Sequence, residues 1–298
     1  MNKLWKGRYD SDNSIDLRFW QVIQKFSVNQ TLHSKGTCFV GYDTDDGVIR
    51  NLGRPGAANG SNAIRRAMQS YPVIENVSLY DFGNLEQHKL EEAQAEYSRK
   101  IAQVISKQLL PIGLGGGHDI AYASYLGVRQ AFPDKKIGII NFDAHLDNRP
   151  YDEQPTSGTS FKQILEQDSN ACYVIVGYQD IANTQRLRNT AQALGMQIID
   201  VETSVSQTIS SLQSFIADVD IVYVTFCMDV FDISEAPGVS APMAIGLEKR
   251  AALQMLRVIV DSGKLVCLDF AEVNPQLDID ERTSRLVGKL IYETLKRI

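Results

Sequence analysis

The strongest constraint on how this chain can fold is an alternation. Short, mostly unbroken apolar runs are separated by segments with helical periodicity. TCFVGYD, NVSLYDF, LLPIGLG, KIGIINF, CYVIVGY, MQIID, DIVYVTF and KLVCLDF read as about eight strands. Strands with one wet face would alternate polar and apolar residues, so continuous apolar runs point to a parallel sheet covered on both faces. Helices are expected at Asp16 to Phe26, Glu86 to Lys107, Ile120 to Phe132, Phe161 to Glu166, Asn183 to Leu194, Val205 to Ile216, Leu247 to Val260 and Glu281 to Leu295. A further helix holds Ile64 and Met68, with Ser61 or Asn62 as its cap. No internal repeat or linker divides the 298 residues, so one α/β domain over 1–298 is expected, with residues 1–35 as an N-terminal arm. An open doubly wound sheet and a closed eight-stranded barrel both fit this pattern.

Composition narrows the partners. A net charge of −6 argues against a nucleic-acid backbone or an anionic membrane. No run approaches the roughly 18 apolar residues of a membrane span. The segment MNKLWKGRYDSDNS has no apolar signal core, and the four scattered cysteines form no CxxC pair. Cys38, Cys172 and Cys267 sit in strand-like runs as buried, reduced thiols, which suits the cytoplasm.

The chemistry gathers where strands end. KIGIINF runs into DAHLDNR, which sets Asp143, His145 and Asp147 at alternate positions on one side of extended chain. Two carboxylates and an imidazole suit a hard-to-borderline divalent ion such as Mn²⁺ or Zn²⁺; a polar turn would carry the same residues without one. His118 follows a glycine triplet, Cys227 to Asp232 follow DIVYVTF, and Glu272 follows KLVCLDF. Strand carboxyl ends share one edge of a parallel sheet, where ligand sites form. So many acidic groups there would be costly without a cation, and two ions could share and ionise one water. The loop GVIRNLGRPGAANG offers Arg50 and Arg54 to an anion or leaves them in water. His33 and His88 lie in polar stretches and need no special role.

GGGHD, NFDAHLD, MDVFD with APGVSAP, and DFAEVNP, in that order, resemble the ureohydrolases: arginases, agmatinases and formimidoylglutamases. The resemblance covers residues 36–298. It implies a three-layer α/β/α sandwich with an eight-stranded parallel sheet, a pair of Mn²⁺ ions, and assembly into a homo-oligomer. His118, Asp143 and Asp147 resemble the ligands of one ion, and His145, Asp143 and Asp229 those of the other. Asp147 and Glu272 match the proton-transferring and cation-binding carboxylates. GVIRNLGRPGAANG and DNRPYDEQPTSGTSF resemble the formimidoylglutamase branch. That branch hydrolyses a small amidine substrate carrying carboxylates, N-formimidoyl-L-glutamate, by metal-activated water. Arg149, and less directly Arg54, would hold a substrate carboxylate. An agmatinase-like guanidino hydrolase and a metal-poor, non-catalytic homologue are the alternatives. The family usually places an Asp where Cys227 stands, and a thiol there would weaken one ion site. Phe161 stands near the position of the arginases' proton-shuttling histidine, against arginase activity.

Overall fold

In the computed structural model, residues 4–30 and 36–298 are described; His33 and part of the N-terminal arm lie outside this range. The strands are β1 (Gln24–Lys25), β2 (Gly36–Gly41), β3 (Ser78–Gly83), β4 (Leu110–Leu114), β5 (Ile137–Phe142), β6 (Ala171–Tyr178), β7 (Gln197–Asp200), β8 (Ile221–Cys227) and β9 (Leu265–Ala271). They form one sheet in the order β1-β3-β2-β4-β9-β8-β5-β6-β7, and every pairing between them is parallel. The sheet is open, which settles the barrel question. Nine strands replace the expected eight because the two-residue β1 adds an edge beside β3.

The alternation of side chains builds the layers. Along β5, Ile140 and Phe142 enter one core while Ile137 and Ile139 enter the other. Along β8, Val222, Val224 and Phe226 face the first core, and Ile221 and Tyr223 the second. Both faces are thus apolar and covered by helices, as unbroken runs require. After β4 the chain skips two positions to lay β5, builds outward to β7, then returns to fill the gap with β8 and β9. The strands β4, β9, β8 and β5 therefore lie side by side at the centre, although they are far apart in sequence.

Register aligns their ends. Phe142 pairs with Phe226, and Phe226 with Phe270. Their rings stack with centroids 4.1 and 5.4 Å apart. Burying each ring contributes about 1.5–3 kcal/mol. A one-residue slip would turn all three out of the core, so the stack fixes the residues that follow at one rim.

Most helices fall within two residues of expectation. The N-terminal one does not: Asp16 to Phe26 gives a 3₁₀ turn (Ser14–Asp16), a four-residue helix (Phe19–Val22) and β1. Its amides are taken elsewhere, Phe19 N by Tyr71 O, Trp20 N by Gln69 O and Phe26 N by Asp81 O. Tertiary pairing overrides the apolar stripe. The helix Gly60–Met68 starts on Asn59 without a side-chain cap, not on Ser61 or Asn62. A short helix, Asp46–Arg50, was not foreseen.

Candidate metal centre

The central strands deliver His118, Asp143, His145, Asp147, Cys227, Asp229 and Glu272 to one rim. After β4, Gly115 and Gly116 adopt φ of 80° and 76°. A Cβ on Gly116 would lie 2.4 Å from the Tyr42 carbonyl oxygen, so only glycine lets the chain turn here. The turn folds His118 over the sheet end, where its amide donates to Glu272 Oε1 at 3.1 Å. Asp147 and Glu272 have φ of 42° and 65°, a left-handed strain that side chains other than glycine seldom accept and that collects at functional sites.

Asp143 is the hub. Its Oδ2 lies 2.9 Å from His118 Nδ1, and its Oδ1 lies 3.4 Å from His145 Nδ1. His118 Nδ1 also meets Asp147 Oδ2 at 2.9 Å, and His145 Nδ1 meets Asp229 Oδ2 at 3.2 Å. Two donor sets result, with the donor atoms of each within 4.8 Å of one another: His118, Asp143 and Cys227, and Asp143, His145 and Asp229. Asp147 touches the first through His118, and Cys227 completes that set. Neighbouring groups hold the hub in place. Asn141 Nδ2 donates to Asp143 Oδ2 and to the Tyr173 hydroxyl. Asn183 accepts from Leu146 N and donates to Ala144 O, bracketing His145.

Electrostatics describe a site built around positive charge. Burial would lower both histidines, but contacts with Asp143 and Asp147 hold His118 well above its ordinary pKa. Asp229 and Asp143 raise His145 to about 12. Burial opposes ionisation of Asp143, but its two histidines hold it well below the usual carboxylate range. Burial, aided by the Asp229 charge, pushes Glu272 up to about 8. Burial and the charges of Asp143 and Asp229 push the Cys227 thiol well up. Asp229 Oδ1 and Glu272 Oε2 are buried with no hydrogen-bond partner among the described residues. Such orphaned acceptors facing two imidazoles and a second carboxylate fit a cation better than they fit each other.

The cavity above this cluster has a volume of about 300 Å³, and Arg149 and Arg54 line it. The Arg149 side chain makes no ion pair among the described residues, including with Asp152 or Glu153. Arg54 spends Nε and Nη2 on the carbonyls of Ser240 and Val239, tying its loop to APGVSAP. Arg50 neither faces an anion site nor stays free; it pairs with Asp46 and Glu91. Phe161 is buried edge-on to His118 with centroids 5.5 Å apart, so this wall is apolar. Asn141 and Asn183 gave no signal in the sequence. Asp269 did, since a carboxylate inside the apolar run KLVCLDF must be partnered.

Fold and donor set together define an α/β chain whose carboxylates and imidazoles converge on the carboxyl rim of a parallel sheet, the donor chemistry that suits a divalent cation. The Arginase family model matches residues 35–296, and the chain belongs to that family. A formimidoylglutamase of Lysinibacillus sphaericus (strain C3-41) is 42% identical over 309 residues, covering 99% of this chain and 96% of the relative. One from Staphylococcus carnosus (strain TM300) is 41% identical over 298 residues, covering 97% and 96%. Among solved structures, Trypanosoma cruzi formiminoglutamase with Mn2+2 superposes with a TM-score of 0.83 at 26% identity, covering 94% of this chain and 97% of that one.

Proposed function

We propose that this chain is a formimidoylglutamase that hydrolyses N-formimidoyl-L-glutamate to L-glutamate and formamide. The observation that carries the reading is Asp143, whose two oxygens each face a different histidine at the rim, His118 at 2.9 Å and His145 at 3.4 Å. His118, Asp143, Asp147 and Cys227 would hold one Mn²⁺, and His145, Asp143 and Asp229 the other. When bound, the ions supply the positive field that ionises water at neutral pH.

The chain's own groups do the rest. Glu272, raised by burial, is ready to ionise against the planar formimidoyl cation and align its carbon over the rim. Water oxygen bonds to that carbon, and the bond from the carbon to the glutamate nitrogen breaks. The attacking water sheds a proton and the leaving nitrogen needs one, and Asp147, held by His118 at 2.9 Å, is the carboxylate placed to take the first and deliver it to the second. Arg149, without an ion pair among the described residues, takes a substrate carboxylate. The apolar Phe161 wall leaves no second imidazole on that side. The reading extends to a homo-oligomer, as the family resemblance implies, working in the cytoplasm, which the unpaired cysteines suit.

Turnover of formimidoylglutamate, agmatine and arginine, measured side by side with added Mn²⁺, tests the assignment. Formamide from the first with no urea from the others is expected. Urea from agmatine, with formimidoylglutamate untouched, would overturn it.

A further inference from the structure

We infer that Thr225 and Asp269 form a buried positioning relay that fixes which nitrogen His118 presents to the metal; the inference rests on the metal reading above. Thr225 on β8 and Asp269 on β9 are cross-strand partners, and both are fully buried. Asp269 Oδ2 accepts from Ser124 Oγ and the Tyr223 hydroxyl, each at 2.6 Å. Its Oδ1 accepts from Thr225 Oγ1. Three hydroxyls thus surround a carboxylate that has no Lys or Arg partner among the described residues. Gly113 on β4 makes room for it, since a Cβ there would lie 2.6 Å from Asp269 Cβ.

A hydroxyl has one hydrogen. Thr225 gives its hydrogen to Asp269, so toward His118 it can only accept. His118 Nε2, 3.1 Å from Thr225 Oγ1, must therefore carry a hydrogen. Nδ1 is left as the ligating atom, on the side where Asp143 and Asp147 lie. Outer groups of this kind set imidazole orientation and ligand strength. Thr225 and Asp269 touch no substrate; they act through His118. The competing view is that the cluster merely fastens β8, β9 and the helix Ile120–Ala131 together.

Thr225→Val removes the link to His118 and leaves Asp269 its other two donors. Ser124→Ala loosens the cluster without touching His118. Mn²⁺ titration should show about a tenfold to hundredfold weaker affinity for T225V. Thr225→Ser and S124A should stay near the wild-type value. In metal-free enzyme labelled with ¹⁵N-histidine, where both ring nitrogens carry hydrogens, the His118 Nε2 hydrogen should exchange slowly with solvent in wild type and S124A, held by Thr225 Oγ1, and about tenfold or more faster in T225V, which lacks that acceptor. Unchanged Mn²⁺ affinity in T225V, equal losses in T225V and S124A, or a protected proton that survives in T225V would overturn the relay. A wild-type protein that takes up no Mn²⁺ would sink the metal reading, while the imidazole proton would still decide the relay.

Discussion

The two histidines of the rim share one carboxylate and little else. His118 is 1% exposed, lies against Phe161, and uses both ring nitrogens, Nδ1 on Asp143 and Asp147 and Nε2 on Thr225. His145 keeps 24% of its side chain exposed, and its Nδ1 contacts Asp143 and Asp229. The first half is sunk into the sheet and fixed from behind by hydroxyls. The second stands on a loop, bracketed through the backbone by Asn183. One centre therefore combines a preorganised half with an accessible one, and the accessible half opens on the cavity that Arg149 lines.

The shared hub gives the largest effect. Asp143→Asn should remove metal from both halves and cut turnover more than about a hundredfold, beyond the loss typical of an outer-shell change. Metal content and rate measured on one sample check it, and a variant that keeps one full-affinity ion would break the picture of a hub. Next come the halves themselves, compared by urea unfolding of metal-free protein. His118→Ala removes one partner of a buried charge cluster and should cost about 3–5 kcal/mol. His145→Ala, at a partly exposed site where water can reach the carboxylates it leaves behind, should cost about half of that. Equal losses would erase the distinction.

At the open side, Arg149→Met should raise KM for formimidoylglutamate about tenfold to hundredfold with kcat nearly held, as expected for lost uniform binding. Steady-state kinetics decide it. Protons on His118 and His145 compete with the cation, and both pKa values are raised, that of His145 to about 12. Mn²⁺ affinity should therefore rise with pH through the neutral range, by up to about tenfold per unit for each proton displaced. Titrations at three pH values test the sign. The smallest expected change is a gain: Cys227→Asp replaces a protonated thiol with a hard ligand in the His118 set and should tighten one ion several-fold, about 1 kcal/mol.

Much of this was legible in the sequence. Unbroken apolar runs gave the parallel sheet, and alternate polar residues just past them gave the rim. The sequence did not reveal that β8 and β9 fill the gap between β4 and β5, because strand order depends on long-range packing. Nor did it show that Asp16 to Phe26 would give up its helix, since the partners of that backbone, Tyr71, Gln69 and Asp81, lie about 50 residues downstream. Thr225 was hidden in an apolar run, where a β-branched residue reads as core. Its role depends on Asp269, which only the register of two strands places beside it. Arg54, the weaker carboxylate candidate, lines the cavity but spends Nε and Nη2 on the carbonyls of Ser240 and Val239, a commitment that only the folded chain reveals.

Anomalous diffraction at the manganese edge, from crystals grown with Mn²⁺, tests the central claim most directly. Two peaks are predicted at the rim, one among His118, Asp143, Asp147 and Cys227, the other among Asp143, His145 and Asp229. Density absent from the rim, or peaks that bypass Asp143, would contradict it.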